Sequence, residues 1–283
     1  MVAPELASAC SICLAGDPVF TSQGTTGHEV GKVSTYVEYR NIRKRSGPLP
    51  GEPADHEERN NTQRLDFFVS VTPLDRITLS IDIPYVWNEV TELEDTGPEE
   101  FKLDGLGDIT LATNVVLWRN RDVLPTTWVD GRFFLKLPTG NSSQSIDGVK
   151  DPHVQEGTGS FDFGFGLGGV HRMDAATLFG SATYRVNREG TVEYRFGNAF
   201  LMTVGAEVPV GKYLGWGPSS LTPGVQLDLR HTERDEFQGG NYQHSGGTIV
   251  FVTPSVRVQL PWFTGSDAPF LRGAVQVPLG DRG

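Results

Sequence analysis

Cys10 and Cys13 stand three positions apart in Ala9-Cys10-Ser11-Ile12-Cys13-Leu14. Such spacing suits a redox dithiol, a metal site or a small local disulfide. A thioredoxin-like dithiol opens a helix inside a βαβ unit, and no such pattern surrounds this pair. Covalent haem attachment needs a histidine directly after the second cysteine, where this chain has Leu14. A metal site needs further ligands, of which His28 is the nearest in sequence. A disulfide in an oxidising compartment, lipidation at Cys10, and docking of a periplasmic, electron-transfer or second-copy partner through Cys10 and Cys13 remain open readings.

Other chemistry is sparse. The six histidines, His28, His56, His153, His171, His231 and His244, show no helical zinc spacing. They assemble no Ser-His-Asp set by sequence. Glu57, Glu58, Glu92, Glu94, Asp95, Glu99 and Glu100 crowd two polar stretches. They could hold calcium or bridge to lipopolysaccharide through divalent cations, although solvated loops explain them too. The chain is therefore read as a non-enzyme, with no catalytic, cofactor-binding or metal-binding residues and no cofactor.

The remaining charges make sense only through the elements that carry them. Ile77, Leu79, Ile81 and Ile83 alternate with Thr78, Ser80 and Asp82. Val225, Leu227 and Leu229 alternate with Gln226, Asp228 and Arg230, and Val250, Val252, Val256 and Val258 share a face opposite Arg257. Period two is the signature of a strand with two unlike faces, and no comparable stretch shows helical spacing. Strands are expected near 31–42, 61–72, 76–87, 106–118, 128–138, 159–170, 175–187, 194–210, 221–231, 246–260 and 269–279. Most exceed the roughly five or six residues common in soluble sheets and match the roughly 9–11 that cross a bilayer.

Connection lengths support the same architecture. A long loop at 43–60 is followed by the short Pro73-Leu74-Asp75, then by a long acidic loop at 88–105 and a shorter one at 119–127. A long loop at 139–158 precedes the tight His171-Arg172-Met173-Asp174 turn. Long and short connections in alternation are expected when loops grow on one side of a membrane only. Trp87, Trp118, Trp128, Trp216 and Trp262 fall at strand ends, where aromatic girdles belong.

The fold class is all-β, an antiparallel up-and-down transmembrane β-barrel of about 12 strands. An exported segment, 1–30, precedes the barrel, 31–283. Eleven strands are legible; the twelfth is sought in 14–30 or beyond Gly283. No basic n-region or apolar h-region opens the chain, so a leader is expected to have preceded it, with Met1 an added start. The expected location is a bacterial outer membrane, with its lipid and lipopolysaccharide as surroundings. Lumen-lining residues are expected to be Glu38, Arg40, Asp66, Asp82, Lys136, Arg185, Glu207, Asp228, Arg257 and Arg272, because unpaired charges in hydrocarbon cost several kcal/mol each. A net charge of −11 and the lack of a basic stripe argue against nucleic acid.

Several short motifs add a resemblance. Ile83-Pro84-Tyr85, Gly105-Leu106-Gly107-Asp108-Ile109, Leu135-Lys136-Leu137-Pro138-Thr139-Gly140 and Gly157-Thr158-Gly159-Ser160 occur in order between 73 and 210. In these the chain resembles outer-membrane barrels known as transporters, or as similar to the protein of the meta-pathway of phenol degradation. The N-terminal Cys10/Cys13 segment resembles a subset of them. The resemblance implies a barrel that passes small molecules. Ahead of a barrel enzyme and a soluble lipid-binding barrel, the residues alone leave two foremost readings: a narrow passive channel with a mixed-charge lumen whose acidic loops favour cations slightly, or a structural barrel whose Cys10/Cys13 segment docks a partner or links copies. The glycines from Gly164 to Gly169 are read as making room for a plug or for neighbouring side chains.

Overall fold

A computed structural model describes residues 30–46, 57–94, 97–144, 152, 154–215, 221–241, 245–260 and 269–282. Residues 1–29 lie outside it, and with them Cys10, Cys13 and His28. Alternating apolar and polar residues, punctuated by Gly, Pro and Asn turns, give strands and almost nothing else. They are β1 (Val33–Ser46), β2 (Glu57–Leu74), β3 (Ile77–Glu94), β4 (Gly97–Leu106), β5 (Thr110–Arg119), β6 (Thr127–Lys136), β7 (Asp162–Arg172) and β8 (Thr177–Val186). There follow β9 (Tyr194–Arg195), β10 (Ala199–Glu207), β11 (Leu221–Thr232), β12 (Glu236–Phe237), β13 (Gly240–Asn241), β14 (Gly247–Gln259), β15 (Phe270–Ala274) and β16 (Val277–Arg282).

Thirteen of these form one antiparallel sheet in which sequence neighbours are spatial neighbours. β4 and β5 pair with successive parts of β3, and β15 and β16 with successive parts of β14, so the thirteen strands fill eleven positions. That is one fewer than the expected twelve, among the described residues. The other three, β9, β12 and β13, make a small separate sheet. Residues 194–195, expected at the start of a long strand, belong to that small sheet, and β10 begins only at Ala199.

One layer must bury its own face. Along β6 every second residue is buried: Trp128, Asp130, Arg132, Phe134 and Lys136 point one way, Val129, Phe133 and Leu135 the other. Among the described residues no helix or second sheet covers the buried side, so the sheet curls strongly and packs that side against itself. On the convex side every strand position shows an exposed apolar residue: Val37, Val69, Leu79, Leu111, Phe133, Phe165, Leu178, Val204, Leu227, Val256 and Leu271. In water a single contiguous apolar surface of this extent would be a liability; against hydrocarbon it is the required face.

The stretches expected as loops are partly strand. Residues 88–105 continue β3 and return as β4, because Val90 and Phe101, and Asn88 and Leu103, keep the period-two pairing past the interface. At the opposite end Arg119 grips Asp75 through both guanidinium nitrogens at 2.9 and 3.1 Å and reaches Asp122, tying two short turns together.

Trp87 and Trp118 face outward and are exposed, as girdle residues would be. Trp128 does not: it is 2% exposed, packed inside with Val116, Val170 and Phe179, with Arg172 stacked 4.8 Å over its ring. Its even position on β6 puts it on the inner face, and position along the strand alone could not reveal that. Trp216 and Trp262 lie outside the described residues.

Candidate functional site: the charged inner face

The inner face is built row by row from the strand register. Asp130 of β6 stands opposite Gly168 of β7, Gly168 opposite Ser181, Ser181 opposite Thr203, and Thr203 opposite Asp228. Small residues on β7 let long ones from β6 lie across it. A Cβ on Gly164 would strike the Phe134 ring, and one on Gly168 would strike the Arg132 guanidinium, both far inside contact distance. The alternating glycines thus leave room that neighbouring side chains fill.

All ten charged positions expected to line the lumen lie on this inner face, and the structure gathers nine of them, all but Glu38, into four groups. In the first, Asp66 accepts from Arg40 at 2.9 Å and from Arg64, whose Nη2 also reaches Asp82 at 3.2 Å. In the second, Lys136 contacts Asp108 at 2.9 Å and Asp162 at 2.6 Å, and Arg185 reaches Asp162 at 3.4 Å. The third is held by hydrogen bonds from uncharged donors: Asp228 accepts from Thr203 at 2.6 Å, Thr253 at 2.9 Å, Gln226 at 3.1 Å and Gln276 at 3.2 Å. The fourth pairs Arg257 with Glu207 at 3.1 Å, with Arg272 bonded to Ser255 at 3.2 Å.

Glu38 on β1 lies in the field of Arg40, Arg64 and Arg272, and Arg272 on β15 in that of Glu38, Glu207 and Arg257. Charges from the first and last strand positions therefore meet across the seam where, among the described residues, no backbone ladder joins them.

Inner charges that escaped sequence reasoning include Arg64, Asp108, Asp130, Arg132 and Asp162. Parity would have found all of these but Asp108. Arg64 is two residues from Asp66, while Asp130 and Arg132 precede Lys136 in even steps, and Arg132 Nε donates to Asp130 at 2.6 Å. Asp108 sits in a bend and has no strand parity to betray it.

That bend explains the short motifs. Asp108 Oδ1 accepts from the Gly140 N–H at 3.0 Å, and its Oδ2 accepts from the Thr158 N–H at 2.8 Å and from Lys136. Thr139 Oγ1 donates to the Gly107 carbonyl and accepts from the Ile109 N–H at 2.8 Å. A Cβ on Gly157 would meet both Asp108 and the Gly140 backbone. Three motifs far apart in sequence thus form one knot, which pins the β6–β7 connection. The connection's Val154–Glu156 stretch is buried, and Asn88 of β3 donates to the Val154 carbonyl at 2.7 Å.

Among the described residues no three His, Cys, Asp or Glu side chains are placed to hold a metal ion. His171 and His231 are exposed and bond to Thr127 and Thr248; the other four histidines lie outside the described residues. Register sets Glu58 opposite Glu92 and Glu92 opposite Glu99 at the far end of the β2–β3–β4 extension.

A single curled up-and-down sheet, apolar outside and charged inside, defines a β-barrel of the outer-membrane kind. The crystal structure of an outer membrane channel from Pseudomonas putida F1 has a similar fold, with a TM-score of 0.61 and 15% identity, over 89% of this chain and 90% of that one. At that identity the likeness speaks for the fold. No family model matches the sequence, and no curated protein matches it.

Proposed function

We propose that the chain is an outer-membrane β-barrel channel of narrow bore, through which small solutes pass passively. The observation that carries this reading is the division of one continuous sheet into a mainly apolar convex face and a concave face holding charges of both signs. A purely structural barrel could fill its interior with apolar packing and avoid the desolvation of so many ions. The similar fold of a protein described as an outer membrane channel supports the same reading.

Narrowness follows from how the inner face is filled. Phe68, Ala112 and Phe134 form a buried cluster on which Tyr36 stacks at 4.2 Å from Phe68. Arg40, Arg64, Arg257 and Glu207 keep part of their surface open, and the proposed solute path runs on that side. Single-channel recording of the full chain in planar bilayers tests the proposal. Small, steady current steps are expected, enlarged by Tyr36→Ala. Silence at both voltage polarities would overturn it.

A further inference from the structure

The opposite charges of the inner face sit at different depths. Asp66 and Asp82 are 0% exposed, whereas their partners Arg40 and Arg64 keep 21% and 29% of their side-chain surface open. Across the seam Glu207 is 12% exposed and Arg257 29%. The short carboxylates are held against the sheet, and the long guanidiniums lie over them. Each pair is therefore a dipole with its positive end toward the open interior. Arg272 sits between the two halves, beside Ser255 and Gln226.

We propose that this arginine-faced seam binds and selects small anions, carboxylates and inorganic anions alike, and so makes the lumen anion-selective; the inference rests on the channel reading above. A guanidinium presents several N–H donors in a plane that matches a carboxylate, and it stays charged at every working pH. The net charge of −11 points the other way, but distance decides which charge counts. Glu89 and Glu100 on the β3–β4 extension are exposed to water, where the Debye length is about 8–10 Å, while charges lining a narrow lumen are screened much less. Three inward dipoles several ångströms from a solute favour an anion over a cation by about fivefold. Selection by the seam replaces the slight cation preference expected from the acidic loops.

The test is the reversal potential of the full chain in a planar bilayer across a KCl gradient. Chloride is expected to permeate over potassium by about fivefold, and the pair Arg257→Gln and Arg272→Gln, which removes one of the three dipoles and the arginine between the two halves, to lower that ratio. The pair Arg257→Lys and Arg272→Lys keeps the charge and should keep an anion preference, which separates lost charge from lost folding. A native channel that prefers potassium, or a Gln pair with an unchanged ratio, overturns the inference and leaves the channel standing. If no current flows, the channel reading fails, and thermal unfolding of the detergent-solubilised chain with potassium acetate against potassium-matched sulfonate buffer decides the rest. Stabilisation by acetate that the Gln pair loses would retain an anion site; equal unfolding temperatures would remove it.

Discussion

Lys136→Met is the sharpest probe of the inner face, because it deletes one charge and keeps the length of the side chain. Lys136 is 8% exposed and donates to Asp108, Asp162 and Thr158. Stripping a buried carboxylate of its only partner costs about 3–5 kcal/mol. Here neither carboxylate is stripped: Asp108 keeps the Gly140 and Thr158 N–H groups, and Asp162 keeps Arg185, Ser160 Oγ at 2.9 Å and the Arg188 N–H at 2.8 Å. The loss is then two charge-assisted hydrogen bonds at the low end of their range, about 3 kcal/mol together. Urea unfolding in phospholipid vesicles, followed by tryptophan fluorescence, reads that loss as a lower midpoint with an unchanged slope. A double-mutant cycle with Asp162→Asn should give a coupling above about 1 kcal/mol. If Lys136→Met costs less than about 1 kcal/mol and the cycle shows no coupling, the cluster behaves like an exposed ion pair, and the claim that it holds the β6–β7 connection is wrong.

Gly164→Val should cost about 1–3 kcal/mol or block assembly, since the new side chain displaces the Phe134 ring; heat-modifiable migration in detergent gels would show it, and Gly169→Val, where a Cβ meets nothing closer than 3.4 Å, is the control. Phe133→Arg puts a charge on the convex face and should destabilise the barrel in vesicles by about 2–4 kcal/mol, a cost that shrinks in a short-chain detergent. Glu89 and Lys102 bond at 2.9 Å on the β3–β4 extension. The bond from Lys102 holds the Glu89 pKa below its ordinary value, and the bonds to Glu89 and Glu100 raise that of Lys102. The lowered carboxylate loses its contribution as pH falls through its folded pKa, and the raised amine loses its own as pH rises through its folded pKa. Protection of the backbone amides in residues 88–105, their exchange rate corrected for the intrinsic pH dependence, should therefore be greatest between the carboxylate and lysine ranges, and a flat protection profile would contradict the pairing.

The fold was legible because each strand carries its own signal. Ile77 to Ile83 and Val225 to Arg230 announce two unlike faces without help from any neighbour, and the eleven strand positions follow from such segments one at a time. Boundaries read less well. Thr91, Glu92 and Glu94 look like loop, yet pairing with β4 extends β3 through them. Trp128 carries the composition of a girdle residue and the parity of a core residue, and parity wins because a one-residue shift would turn the whole strand over. The inner ions divided in the same way. Residues within a regular strand, such as Asp66 and Lys136, could be placed from the alternation, whereas Asp108 takes its role from Gly140 and Thr158, which no local pattern links to it.

These contrasts bear on how a charged interior and a stable barrel coexist. Ion pairs set in low dielectric gain little net stability, so their number alone does not explain why the sheet holds. What the inner face gains from them is position. The β7 glycines remove side chains where β6 supplies the longest ones, so Arg132 and Phe134 cross a neighbouring strand instead of crowding their own. Asp66 fixes Arg40 and Arg64 from β1 and β2, and Asp108 fixes Lys136, Gly140 and Thr158 from three separate segments. Asp66 thus reinforces the β1–β2 ladder, whereas Asp108 ties segments that backbone pairing leaves unlinked. The same burial leaves guanidinium groups as the inner charges within reach of a solute. A barrel that used apolar packing for this cross-bracing could be equally stable, but it would present no charge to what passes through it.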